Sequence, residues 1–100
     1  MTHRVIYSPA SRRDLRDIRA FIQNESSATI AAKFVKGLLR RSKDLEVFPH
    51  QGSERKALRP GLRVIGYKHR ASIHFEVSEG KVTVLRFFYA GRNWSDDYSE

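Results

Sequence analysis

Apolar residues recur along the first half of the chain at helical spacing and along the second half at strand spacing, behind one short β-favouring run. That run, Arg4-Val5-Ile6-Tyr7, ends at Ser8-Pro9, where a serine side chain can accept a free helix amide and proline suits the first helical position. From there Leu15, Ile18, Phe21 and Ile22 fall three to four residues apart, while Arg12, Arg13, Arg16 and Arg19 fall mostly on the other side, which predicts a helix over 9–23. Asn24-Glu25-Ser26-Ser27 interrupts with turn and capping residues. A second period through Ile30, Ala31, Phe34, Val35, Leu38, Ser42 and Leu45 predicts a helix over 28–46. So short a link makes the pair an antiparallel hairpin, whose apolar stripes need a further layer to cover.

Phe48-Pro49-His50-Gln51-Gly52 stops the second helix, because proline lacks an amide hydrogen and clashes with the preceding turn. Beyond it, 64–68, 72–77 and 81–89 read as strands, the last two joined by a turn at Ser78-Glu79-Gly80. In the middle strand Ile73, Phe75 and Val77 alternate with Ser72, His74 and Glu76, predicting one buried and one wetter face. Strict alternation in the last strand puts Val82 and Val84 with Arg86 and Phe88, and Leu85 and Phe87 with Thr83 and Tyr89, so it is apolar on both sides. Such a strand belongs in the middle of a sheet, with the N-terminal run as its second neighbour once the helical hairpin has crossed over. The predicted class is α+β: an N-terminal strand, an antiparallel helical hairpin, then a three-stranded antiparallel meander. It occupies a single domain over 1–94, followed by an acidic tail over 95–100, Ser95-Asp96-Asp97-Tyr98-Ser99-Glu100.

Composition narrows the partners. The 100 residues, 40% hydrophobic, fill one modest core and leave no room for a second domain. A formal charge of +8 steers anionic partners toward the surface, either nucleic acid or an acidic protein. Cysteine is absent, which excludes disulfides, thiolate metal sites and cysteine nucleophiles and suits a reducing cytoplasm. No N-terminal apolar run matches a signal peptide and no segment approaches the ~20 residues that span a bilayer, so a cytoplasmic protein without a membrane partner is expected. The histidines are dispersed and Gly61, Gly66, Gly80 and Gly91 stand singly, so neither a metal nor a phosphate-cradling loop nor any cofactor is expected.

Several pieces in order carry a family resemblance: Ser8-Pro9-Ala10 with Asp14-Leu15, Ile18 and Phe21-Ile22, then Phe34, Leu38 and Leu45, then Pro49 and Gly52. Leu58-Arg59-Pro60-Gly61-Leu62-Arg63 follows, and the ending is Val84-Leu85-Arg86 with Gly91-Arg92-Asn93. Over most of its length the chain resembles the ParE branch of the RelE/ParE toxins of bacterial toxin–antitoxin modules. The resemblance implies a small toxin, held inactive in a hetero-oligomer by a ParD-like antitoxin whose C-terminal segment wraps over hairpin and sheet. It implies DNA gyrase as target, stalled with its DNA cleaved so that replication is blocked, which is not an enzymatic action of the toxin. RelE-like relatives instead enter the ribosomal A site and cut mRNA, so a ribosome-dependent mRNA endonuclease is the alternative. ParE-like sequences often carry histidine before the glycine-arginine ending; this chain has Tyr89, and RelE-like toxins use a tyrosine near the chain end.

RNA cleavage needs a base for the 2′-hydroxyl, a cation on the phosphate and an acid for the leaving oxygen. The candidates are Arg63, Arg86, Tyr89, His69 and His74, with Lys56 and Lys68 as further cations, but no evident acid–base set stands out. A phenol, with an ordinary pKa of about 10, is a poor base at neutral pH, so Tyr89 is expected to pack. Arg86 is expected either to pair with Glu76 across the hairpin or to meet acidic groups of a partner, His74 to lie at the surface or in a cross-strand pair, and His69 at a turn. Arg59 and Arg63 flank Pro60-Gly61, a rigid turn that should aim both into solvent. Arg12, Arg16 and Arg19 form a helical stripe, and Arg92 and Trp94 follow the last strand, where the indole can anchor a partner. The set proposed to bind target or antitoxin is thus Arg12, Arg16, Arg19, Arg59, Arg63, Arg86, Arg92 and Trp94.

Overall fold

Serine side chains start both helices. In the computed structural model, which describes residues 3–89, Ser8 Oγ accepts the Ser11 amide at 3.0 Å and Pro9 opens α1 (Pro9–Glu25). Ser27 Oγ accepts the Ile30 amide at 3.1 Å ahead of α2 (Ala28–Lys43). Each oxygen stands in for a carbonyl that the first turn lacks. The second helix stops earlier than its apolar period suggests, its end tightening into a 3-10 turn over Asp44–Glu46 that still buries Leu45.

Five strands complete the chain: β1 (Arg4–Tyr7), β2 (Ser53–Glu54), β3 (Arg63–Tyr67), β4 (Ala71–Ser78) and β5 (Lys81–Tyr89). They form one sheet in the order β1-β5-β4-β3-β2. β5 is an interior strand with two neighbours, as expected, β1 parallel along one side and β4 antiparallel along the other, although β4 holds the middle of the sheet. A parallel neighbour requires a long crossover, and the helical hairpin is that crossover. The edge strand β2 was not expected: two exposed residues paired with Arg63 and Val64 carry no periodicity of their own.

The helices cover one face of the sheet. Ile18 and Ile22 of α1 and Ala31 and Leu38 of α2 pack with Ile65, Ile73, Phe75, Val82, Val84 and Phe87. Ser42, which falls on the apolar stripe of α2, is fully buried. It is matched there, because its hydroxyl bonds the Tyr7 hydroxyl at 2.6 Å and the Leu39 carbonyl at 2.7 Å.

The alternation expected of β5 fails at one point. Phe75 pairs with Val84 but His74 pairs with Arg86, so Leu85 is an extra residue and the strand bulges there. Each residue beyond it turns to the other face. Val82 and Val84 therefore share the helix-covered face with Phe87 and Tyr89, not with Arg86 and Phe88 as strict alternation predicts. On the opposite face Leu62, Val64, His74 and Phe88 are buried outside the main core. His74 is thus not a surface residue: it is fully buried opposite Arg86, its Nε2 3.0 Å from Ser72 Oγ and its ring edge-on to Phe88 at 4.7 Å.

Candidate functional site

β1 pairs with β5 only as far as Val84, because the chain turns into α1 at Ser8. The backbone of β5 beyond that point loses its strand partner on this side and would be left with unmatched polar groups. Helix residues supply the partners. Ser8 Oγ donates to the Leu85 carbonyl at 2.8 Å, and Asp14 Oδ2 accepts the Phe87 amide at 2.9 Å. The same carboxylate binds Arg86 in a fork, Nε to Oδ2 at 2.7 Å and Nη2 to Oδ1 at 2.9 Å. Arg86 also lies over the Phe88 ring, 4.7 Å from its centroid. The carboxylate partner of Arg86 is therefore Asp14, not Glu76. Glu76 instead meets Arg59 at 3.4 Å.

Asp14 is not among the candidates that the residue pattern suggests, although a signal for it exists. Together with Ser11, Ile18 and Ile22 it lies on the buried stripe of α1, and an acid on such a stripe requires a buried donor.

Arg63 does not point freely into solvent either. Its guanidinium donates to the carbonyls of His50 at 2.6 Å, Gln51 at 3.1 Å and Gly52 at 3.3 Å. This cation gathers three carbonyls of the segment after α2, and Arg41 adds a bond to the Gln51 side chain at 3.1 Å. Tyr89 packs edge-on against Phe21 at 5.8 Å and Phe34 at 5.2 Å on the helix-covered face. The three residues considered for RNA cleavage are accordingly not brought together. Arg63 holds the 50–52 segment, Arg86 crosses to Asp14 from the opposite face, and Tyr89 sits in an aromatic cluster.

Along α1 two recesses adjoin and share Asp14 and Asp17. One, of about 270 Å³, is lined by Ile18, Phe21, Phe87 and Tyr89. The other, of about 310 Å³, is bordered by Arg13, Arg16 and Arg86. Phe21 is 49% exposed at the apolar end. Arg12 bonds the Tyr7 carbonyl at 3.4 Å, while Arg16 and Arg19 are exposed. The surface thus presents apolar and aromatic walls beside arginines. Arg92, Trp94 and the acidic tail lie outside the described residues. Among the described residues no helix is long and apolar enough to cross a membrane, and no cluster of histidines and carboxylates is placed to hold a metal ion.

A parallel β1–β5 pair bridged by a helical hairpin, with a meander completing the sheet, defines a small toxin fold, and comparison with known proteins is consistent with it. The sequence matches the family of the ParE toxin of type II toxin–antitoxin systems, parDE, over residues 5–94, and the chain belongs to that family. Among solved structures it is similar to a chain of the chromosomal ParDE toxin–antitoxin system from P. aeruginosa, with 21% identity and a TM-score of 0.78, covering 89% of this chain and 97% of that one. It is also similar to a chain of the RelBE2 toxin–antitoxin complex from Mycobacterium tuberculosis, with 17% identity and a TM-score of 0.55, covering 89% and 99%. A search of curated proteins found no match.

Proposed function

We propose that this ParE-type toxin inhibits DNA gyrase by binding it, without chemistry of its own, and is neutralised by a ParD-like antitoxin. The observation that carries the first part is the engagement of its cations. Arg63 and Arg86, the residues best suited to clamp a scissile phosphate, are committed to backbone carbonyls and to Asp14. A phosphate would have to compete with those contacts, and Tyr89 stands on the other face of the sheet from Arg86.

Support for the antitoxin comes from the paired recesses along α1. Phe21 and Tyr89 offer apolar area beside Arg13 and Arg16, which suits an amphipathic segment with acidic residues. The ParDE and RelBE2 neighbours are themselves toxin–antitoxin assemblies by description.

The test is addition of the purified chain to gyrase in supercoiling and DNA-cleavage assays. Loss of supercoiling with trapped cleaved DNA is expected, and pre-mixing with the antitoxin should abolish both effects. Unaltered supercoiling at excess toxin, together with A-site cuts on a translated message detected by primer extension, would overturn the reading in favour of the nuclease alternative.

A further inference from the structure

The exposed side of α2 carries charge of one sign only. From Ala31 to Lys43 every exposed residue is a lysine or arginine, namely Lys33, Lys36, Arg40 and Lys43, and the helix contains no acid. Lys33, Lys36 and Arg40 follow one another at helical i, i+3, i+7 spacing, so they project from one side over about 10 Å. A second basic element is tied to this helix through Tyr67. Gly37 lies against the hydroxyl end of Tyr67, so closely that a Cβ there would run into it. Tyr67 leads directly into the turn Lys68-His69-Arg70 between β3 and β4, all three exposed.

That turn is built in an unfavourable way. Lys68 and His69 both hold left-handed backbone, φ 51° and 55°, and the Arg70 amide closes the turn on the Tyr67 carbonyl at 3.0 Å. Two residues in that conformation are ordinarily Asn-Gly, which adopt it with little strain. Retaining lysine and histidine there is a cost to the fold that their side chains must justify elsewhere. Arg41, Lys43, Arg59 and Arg86 each face a carboxylate, whereas Lys33, Lys36, Arg40, Lys68 and Arg70 pair with none among the described residues.

We propose that Lys33, Lys36 and Arg40 of α2, together with the Lys68-His69-Arg70 turn, form a docking surface for the phosphate backbone of double-stranded DNA. A single-sign ridge matches a duplex, whose charge is likewise of one sign and recurs about every 1.7 Å along its axis. Protein partners are instead anchored by buried aromatic and apolar groups, and the one large apolar residue exposed on α2, Ile30, lies in its first turn ahead of the basic ridge. Single strands are held by base stacking on exposed aromatics; Tyr67 is half-buried against Phe34, and the exposed Phe48 shares its recess beyond Arg40 with the acids Asp44 and Glu46. The inference goes beyond gyrase inhibition, since an inhibitor that binds the enzyme need not touch DNA.

Fluorescence anisotropy of the full chain with a labelled duplex, across a salt series and without gyrase, tests it. The parent should bind with an affinity that falls log-linearly with salt. Lys33→Ala/Lys36→Ala/Arg40→Ala should weaken binding at least tenfold at about 0.1 M salt and reduce the slope by about 0.9 for each phosphate no longer neutralised. Lys68→Asn/His69→Gly separates binding from folding, because it relieves the turn: its melting temperature should rise while its DNA affinity falls. No duplex binding at about 0.05 M salt, an unchanged slope in the triple variant, or tighter binding to single strands or to polyglutamate would each overturn the proposal. The gyrase assay stands independently of all four results.

Discussion

Replacing Asp14 with alanine should destabilise the fold by about 3 kcal/mol. The carboxylate accepts three hydrogen bonds, two from Arg86 at 2.7 and 2.9 Å and one from the Phe87 amide at 2.9 Å. Loss of the amide's acceptor leaves a buried N–H unmatched, which costs about 1–3 kcal/mol. Removal of one partner from a buried ion pair costs about 3–5 kcal/mol. The Arg86 side chain keeps 21% of its exposure, so water recovers part of that loss and the lower end applies. The two costs share one carboxylate and do not add.

Asp14→Asn keeps an oxygen for the Phe87 amide and gives up only the charge and the fork, so about 1.5 kcal/mol is expected. Equilibrium urea unfolding measures both variants. The alanine variant should lose about 2 M in midpoint at an unchanged slope of about 1.5 kcal/mol per M, and its melting temperature should fall by roughly 12–24 °C. A double-mutant cycle with Arg86→Ala should return a coupling above about 1 kcal/mol. An alanine variant within about 0.5 kcal/mol of the parent, or an asparagine variant as unstable as the alanine one, would refute the assignment of the carboxylate as partner to the uncovered edge of β5.

Arg63→Ala should free the 50–52 segment, raising amide hydrogen exchange there and costing about 1–2 kcal/mol in urea unfolding. Arg63→Lys should recover little, because one ammonium cannot span the three carbonyls that the guanidinium reaches. Gly37→Ala gains about 1 kcal/mol of helix propensity. It also drives a methyl into Tyr67, which is packed against Phe34 at 5.3 Å, so a net loss of about 1 kcal/mol is expected by thermal melting. Tyr67→Phe in that background should restore part of the loss, since the hydroxyl is the nearest obstacle.

Local chemistry made the elements legible. Ser8 and Ser27 cap because their hydroxyls serve amides three residues on, and no distant residue is needed for that. The helical periods of α1 and α2 and the apolar character of β5 on both sides follow from residue spacing alone. They sufficed to place β5 inside the sheet beside β1. The short strand β2 was invisible, because two polar residues have no period and become a strand only when Arg63 and Val64 are laid beside them.

The site was less legible, for the same reason turned around. Period counting assumes unbroken alternation, and the bulge at Leu85 reverses the faces of Arg86, Phe87 and Phe88 without any mark in the neighbouring residues. Sequence proximity suggested Glu76 for Arg86. The partner is Asp14, 72 residues away, because β1 ends early and α1 passes the uncovered edge of β5. The sequence by itself determined every element but β2, their order along the chain and the basic surface, all of which depend on short-range spacing and composition. Only the tertiary structure decided which arginines are committed within the fold and which remain on the surface, because a guanidinium's partner is set by backbone groups and carboxylates that folding brings within reach.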